Sequence, residues 1–320
     1  MSADEDAQLR ALFSDAVADV DPADRLGEIR RRTSQRPRRS RRRPLLVVLG
    51  AGTATAAVVA ITALATDFRD DRDAPVASGP AEYPGAVYFV SSTTLGPRLF
   101  REFQPLPASD DVAVRALDAL QQMEVDAGPV DGDYATGWPD GSFTAVSVDD
   151  TAITVQVGAV ALDAPAGVSP DLATLAVQQA VHTADAAVGR PLPVAFERAG
   201  TPVARLLGRP VELPAVRNTR VEAPVNLNDP VEGLEVGAAL AVRGQVTPVA
   251  AEAVSRVSWQ LEDASGATQL AGTTAVDAQA WQMTLDVSAL PRGRYRIVVW
   301  PDHDDPDVSG AVDTRSFVLR

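Results

Sequence analysis

Chemistry needs particular side chains at particular spacings, and this chain offers few such sets. His182 lies in the run VQQAVHTADAAV with Asp185 three residues on. A base and an orienting acid at that spacing share one helix face, but nucleophilic catalysis also needs an activated hydroxyl or thiol. The sequence has no Cys and no Gly-x-Ser-x-Gly elbow, so the His182 ring is expected to fill a partly buried site. Asp302-His303-Asp304-Asp305-Pro306-Asp307 is the most metal-like stretch, because alternate carboxylates suit a hard cation. It lacks the glycine and the glutamate that a calcium loop of the EF-hand type requires, and reads better as a solvated strand connection. Asp110-Asp111 and Asp149-Asp150 are adjacent acids, but a helix cap and a hairpin turn account for them without a general acid and base. Gly50-Ala51-Gly52 is not placed between a strand and a helix, as a phosphate loop would be. Arg292, Arg294 and Arg296 share one side of a strand start, suited to an acidic partner or to water. No catalytic residue, cofactor or metal site is expected.

Composition narrows the classes further. The chain has 320 residues, 46% of them hydrophobic and 22% charged, which excludes a wholly disordered protein. Without Cys there is no disulfide framework, thiolate zinc site or lipid-modified cysteine. Charge is unevenly placed. Residues 1–44 carry 11 Arg against 8 acids, whereas the remainder is strongly acidic and takes the whole chain to −14. An acidic body repels nucleic acid and other polyanions, so no nucleic-acid partner is expected.

Directly after the Arg block, Leu45 to Thr66 runs for 22 residues without a charge. As a helix it would extend about 33 Å, enough for a hydrocarbon core of about 30 Å. Arg36, Arg38, Arg39, Arg41, Arg42 and Arg43 precede it, and Asp67, Asp70, Asp71 and Asp73 follow. The positive-inside rule puts the N-terminus in the cytoplasm and the C-terminal part outside the cell membrane, with lipid contacts through Leu45 to Thr66 and the Arg block. Ala63-Leu64-Ala65 also offers a signal-peptidase pattern, but the apolar run is longer than a signal core and 44 residues precede it. Gly52, Ala56 and Ala60 form a small-residue row of the kind that packs helices together. In the tail, Leu9, Leu12, Phe13, Ala16, Val17 and Val20 form an apolar stripe at helical spacing. So short a helix is marginal alone and needs a partner, such as a cytoplasmic protein at residues 1–35, another copy or the membrane surface.

The elements beyond the anchor fall into two groups. After a charged, then Pro/Gly/Ser-rich linker at 67–82, the order reads strand, strand, helix, hairpin, helix, strand, strand. Ala86–Val90 and Leu99–Phe103 are the first strands, and Asp110-Asp111 caps a helix bearing Leu117, Leu120 and Met123. Val146 and Val148 alternate up to a turn at Asp149-Asp150, and Ile153, Val155 and Val157 alternate after it. Ser169-Pro170-Asp171 opens the second helix, Gly189-Arg190-Pro191 stops it, and strands at 194–196 and 203–207 finish an α+β unit with one mixed or antiparallel sheet. From 224 onward the pattern is all-β. Strands are expected at 239–246, 254–261, 268–275, 281–287, 294–300 and 314–319, which is sandwich arithmetic. Val257, Trp259 and Leu261 share one face, as do Trp281, Met283, Leu285 and Val287.

Two runs in the first group, AGPVDGDYATGWPDGSFTAVSVDDTAITVQV and LATLAVQQAVHTADAAVGRPLPVAFERAGTPVARLLG, resemble the GerMN domain, the sporulation and spore germination domain of bacterial envelope proteins. Its most specific pieces are Tyr134…Trp138-Pro139 and the helix ending in Gly189-Arg190-Pro191-Leu192-Pro193-Val194. PVNLNDPVEG, VSWQLED, LDVSALPRGRYRIVVW and DTRSFVL resemble the immunoglobulin-like domain of bacterial spore germination. The second match lacks the Cys pair of antibody domains, so Trp259, Trp281 and Trp300 are expected to supply core volume. The resemblance implies a membrane-anchored envelope protein of actinobacterial type, with a GerMN-like domain at 83–208, a linker at 209–223 and an immunoglobulin-like β-sandwich at 224–320. The two domains are expected to fold independently. The implied function is non-catalytic: display of the two modules to envelope proteins for interaction or assembly. A signalling protein whose cytoplasmic helix binds a regulator such as a sigma factor is the alternative. A cell-wall hydrolase or carbohydrate-binding module has less to support it.

Overall fold

The computed structural model describes residues 81–248, 250–303 and 310–320. The expected cytoplasmic tail, the expected Leu45–Thr66 anchor, nearly all of the first linker and residues 304–307 of the Asp-rich stretch lie outside the described residues. Among the described residues no helix is long and apolar enough to cross a membrane.

The α+β body starts with a long antiparallel hairpin of β1 (Glu82–Thr93) and β2 (Gly96–Pro107), in register so that Phe89 faces Phe100. Helix α1 (Val112–Gln121) begins where Asp111 accepts a hydrogen bond from the Ala113 N–H at 2.8 Å. Strands β3 (Phe143–Val148) and β4 (Ile153–Val157) form the expected hairpin, and α2 (Pro170–Val188) follows. Ser169 caps α2, Pro170 fills its first turn, and Gly189 ends it at a φ of 81°, a left-handed position that favours glycine. Strand β5 (Val194–Arg198) then pairs parallel with β4, so that β4, α2 and β5 form a crossover unit.

Two expectations need correction here. The body holds not one sheet but three: the β1-β2 pair, a four-stranded sheet of order β3-β4-β5-β6 with β6 at Thr201–Pro202, and a short two-stranded pair of residues 205–206 with 209–210. Pro84, Pro97, Pro105 and Pro107 take donors out of the hairpin, which suits strands that no further ladder extends. The strand expected at 203–207 is instead broken into β7 (Arg205–Leu206), which turns back on β8 (Arg209–Pro210). Leu207 and Gly208 both adopt positive φ, at 47° and 72°, and make that turn. Helix α2 covers the hairpin and α1, and the core between them contains Phe89, Phe100, Leu120, Trp138, Ile153 and Phe196.

The sandwich packs a five-stranded sheet of order β10-β16-β15-β12-β13 on a three-stranded sheet of order β14-β11-β9. Its strands are β9 (Val225–Asp229), β10 (Leu234–Val236), β11 (Ala239–Val246), β12 (Arg256–Asp263), β13 (Thr268–Ala275), β14 (Ala280–Asp286), β15 (Gly293–Pro301) and β16 (Asp313–Leu319). Strand β10 runs parallel to β16, and the other neighbours are antiparallel. Trp281 is 2% exposed in the core, where Gly244 lies opposite it because a Cβ there would fall 2.1 Å from the indole. Trp259 lies over Gly272 and is only partly buried at the edge of the same core. Trp300 does not supply core volume as expected: Tyr295, Ile297 and Val299 hold the inward parity of β15, which turns Trp300 to the other face.

Residues 209–223 lie packed on the α+β body. Ala215 exchanges two backbone hydrogen bonds of 2.8 Å with Val194, and the Ala223 N–H donates to the Leu99 carbonyl at 2.8 Å.

Candidate functional site

The densest polar chemistry in the described residues lies buried where the α+β body meets the sandwich. It is assembled in steps from β2. The Glu102 carboxylate, 4% exposed, accepts from the Val130 and Asp131 N–H groups at 3.1 and 2.9 Å and so fixes the turn after α1. Asp131 in turn accepts from the Asp133 N–H at 2.9 Å, and the turn carries Tyr134 inward onto Phe100, with ring centroids 5.5 Å apart. Strand β16 enters from the other side with Asp313, Arg315, Phe317 and Leu319 all on its buried face.

Arg315 is the centre of this cluster. The two N–H groups of its Nη1 are shared among Asp131 at 2.7 Å, the Tyr134 hydroxyl at 2.7 Å, Asp313 at 3.0 Å and the Thr314 carbonyl at 2.6 Å. Its Nη2 reaches the carbonyls of Arg101 and Leu227 at 3.4 and 3.3 Å, and the guanidinium stands 4.9 Å from the Tyr134 ring centroid. Tyr134 donates its hydroxyl proton to Asp313 at 2.7 Å, and the Leu227 N–H donates to the other Asp313 oxygen at 2.5 Å. Burial raises the Asp131 carboxyl to about 6 against the downward pull of Arg315, and burial likewise raises Asp313. Burial opposes the charge on Arg315, but Tyr134, Asp313 and Asp131 hold it and its affinity for the proton rises.

Around this centre, Arg101 extends the contact. Its N–H donates to Asn226 at 2.8 Å, and its Nη2 donates to Asn228 and Gln245, each at 2.8 Å. At the solvent side Thr314 donates to Asp133 at 2.7 Å and Thr94 to the Gly310 carbonyl at 2.7 Å. An open groove of about 480 Å³ runs along this side, lined by Ser91, Asp133, Ser169, Leu172, Val312 and Thr314 among others. None of the seam residues was singled out by the sequence as a site. Their signal was there in DTRSFVL, where two charges occupy the same parity as Phe317 and Leu319.

His182 is fully buried on α2, with its ring centroid 5.1 Å from that of Tyr88. Its Nε2 lies 3.2 Å from the Asn218 carbonyl, which can only accept, so the hydrogen resides on Nε2. Nδ1 then carries a lone pair and makes no hydrogen bond, although Glu222 approaches to 3.5 Å. Burial and the Arg217 charge lower the His182 pKa to about 3, so this approach is not an ion pair. Glu222 is satisfied by Arg217 at 2.9 Å. Asp185 does not orient the imidazole: one of its oxygens accepts from the Leu192 N–H at 3.0 Å and the other is buried without a partner. Burial raises the Asp185 carboxyl to about 6.

The remaining candidates have local roles. Asp111 is the helix cap, and Asp149 accepts from the Thr151 hydroxyl and the Thr151 and Ala152 N–H groups in the hairpin turn, which lowers its pKa. Asp302 stands 3.6 Å from Arg256. Arg296 pairs with Glu262 at 2.6 Å within the same sheet, while Arg292 and Arg294 are exposed. Glu124, missed by the sequence reading, is buried and accepts from the Gly141 and Phe143 N–H groups at 2.9 Å each. It thereby seats the loop carrying Trp138, whose indole donates to the Ala176 carbonyl at 3.0 Å.

No family model matches this chain, and no curated protein matches it. Among solved structures, the tandem GerMN domains of the sporulation protein GerM from Bacillus subtilis align at 14% identity with a TM-score of 0.32, covering 66% of this chain and 63% of that one. The endo-beta-1,4-mannanase from Thermotoga petrophila aligns at 15% identity with a TM-score of 0.26, covering 31% of this chain and 20% of that one. This chain therefore spans less than two thirds of the length of either, and likenesses this shallow carry no argument about activity.

Proposed function

We propose that this is a non-catalytic, membrane-anchored envelope protein that presents a GerMN-like module and an immunoglobulin-like module to protein partners outside the cell membrane. The observation that carries the reading is the uncharged Leu45–Thr66 run, flanked by six arginines before it and four aspartates after it. Support for display over catalysis comes from the polar residues themselves. The carboxylates that sequence spacing offered as acid/base pairs act as a helix cap and a hairpin turn, and the one buried histidine is held neutral without an orienting acid.

Protease added to intact spheroplasts should destroy a C-terminal tag and spare an N-terminal one. The reverse pattern overturns the topology, and a mature N-terminus at Thr66 or Asp67 would mean cleavage in place of anchoring. Crosslinking of the full-length protein in membranes should then capture envelope proteins through the outer modules. The apolar stripe from Leu9 to Val20 favours a second reading, in which the cytoplasmic tail binds a regulator and the outer modules sense the envelope. Capture of a cytoplasmic protein that depends on that stripe would select it.

A further inference from the structure

We propose that Arg315 is a latch that joins the α+β body and the sandwich into one cooperative, fixed unit, so that partners meet a composite surface of both and not two modules on a hinge. The inference stands apart from the function proposed above, since it would hold for an enzyme or a scaffold alike.

Four features of the seam carry it. Arg315 belongs to the sandwich by sequence, yet its side chain is 2% exposed and its shortest bond to a carboxylate goes to Asp131, 184 residues away in the α+β body. Tyr134 closes the same connection in the opposite direction, since its ring lies in the core of the α+β body and its hydroxyl donates to Asp313 of β16. Backbone groups of β2 are used as well: the Arg101 N–H ends on Asn226 of β9, and the Arg101 carbonyl accepts from Arg315 of β16. Residues 209–223 add no slack, because backbone bonds at Ala215 and Ala223 hold them to the α+β body up to the start of β9.

Separating the modules would expose these groups one by one. Water would have to solvate a guanidinium, two carboxylates and a phenol that now satisfy each other, and no partial opening leaves Arg315 with equivalent partners. Removing one member of a buried ion pair leaves the other uncompensated, which is why such losses are large. A flexible joint between modules normally shows a polar, wet interface and a free connector. This seam is polar, but its central charges are buried and paired with one another, and its connector is held to the α+β body.

The test uses the full-length protein in detergent micelles, with hydrogen exchange read by mass spectrometry across a urea series. Peptides from α2 report the α+β body, and peptides from β12 and β15 report the sandwich. In the wild type both groups should lose protection at one shared midpoint. Arg315→Met should split that midpoint in two and lower protection of peptides covering 98–104 and 225–229 by about a hundredfold or more. Different midpoints in the wild type overturn the proposal, as does a shared midpoint that survives in a folded Arg315→Met. If that variant does not fold, Arg101→Ala decides: across the seam it removes the contacts to Asn228 and Gln245, and within β2 the guanidinium over the Phe103 ring. Lowered protection at 225–229 in Arg101→Ala, with α2 unchanged, supports the latch; unchanged protection overturns it.

Discussion

Two buried polar clusters in this molecule draw on the same residue types and reach opposite outcomes. At the seam, Arg315, Asp131, Asp313 and Tyr134 bond to one another, and the guanidinium adds three backbone carbonyls. Beside α2, Arg217 and Glu222 pair, but His182 keeps Nδ1 without a hydrogen bond and Asp185 keeps one oxygen without a partner. The seam is formed by strands and turns that meet from far apart in the chain, with backbone donors and acceptors aimed at the side chains. The α2 cluster sits under a helix whose own backbone groups are already used, so fewer donors are left to satisfy it. A saturated cluster holds position; an unsaturated one mainly fills space and is more readily replaced.

Removing the guanidinium should have the largest effect. Arg315→Met is expected to cost about 3–5 kcal/mol of stability, as breaking a buried pair does, in chemical denaturation of the full-length protein. A loss below about 1 kcal/mol would erase the distinction between the clusters. His182→Phe should cost only about 1 kcal/mol, because the ring still packs on Tyr88 and only the bond to the Asn218 carbonyl is lost. A loss as large as that of Arg315→Met would show that the α2 cluster is equally specified.

The clusters also respond differently to pH. Asp131 has its carboxyl raised by burial to about 6 in the folded state, so folded protein retains a proton that unfolded protein releases from about pH 4 upward. Its contribution to stability is present in acid and is lost as pH rises through about 6. His182 is lowered to about 3 by burial and Arg217, so the unfolded state binds the extra proton below about 6.5. Its contribution is present at neutral pH and is lost as pH falls toward 3. Asp185, raised to about 6 by burial, follows the sign of Asp131 and partly offsets its histidine neighbour. Stability measured from pH 4 to 7 should therefore rise more steeply with pH in Asp131→Asn than in wild type, and less steeply in His182→Phe. Slopes that change in the opposite sense would reverse the assignment.

The smallest effect belongs to a pair at a similar distance with both partners in contact with water. Arg205 meets Asp163 at 2.9 Å with both side chains more than half exposed. Arg205→Ala should change stability by less than about 1 kcal/mol. A larger loss would mean that distance, and not exclusion of water, sets the value of these pairs.

Much of the local structure was legible in the sequence. Ser169-Pro170 and Gly189 bounded α2, the alternation on either side of Asp149-Asp150 gave the hairpin, and the spacing of Trp281, Met283 and Leu285 placed one face of β14 toward a core. These are properties of a few consecutive residues, and backbone geometry converts them directly into a helix end, a turn or an inward face. The same local rules failed where a neighbour decided the matter. Trp300 has apolar neighbours of both parities, and only the packing of Ile297 and Val299 on the opposite sheet turned it outward. The division of the α+β body into three sheets depended on which strand edges met, which no single strand encodes.

What the sequence by itself determined is therefore the asymmetry of the chain and the kinds of its elements: a basic block, an uncharged run, an acidic remainder, and helices and strands with their inward faces. What only the tertiary structure decided is which buried charges answer one another. Asp313 and Arg315 already stood on the apolar parity of a strand, so a buried partner was implied, but that partner lies 184 residues away at Asp131. Periodicity records whether a residue faces water, because that follows from its own backbone; it does not record what it faces, because that follows from how the two bodies pack.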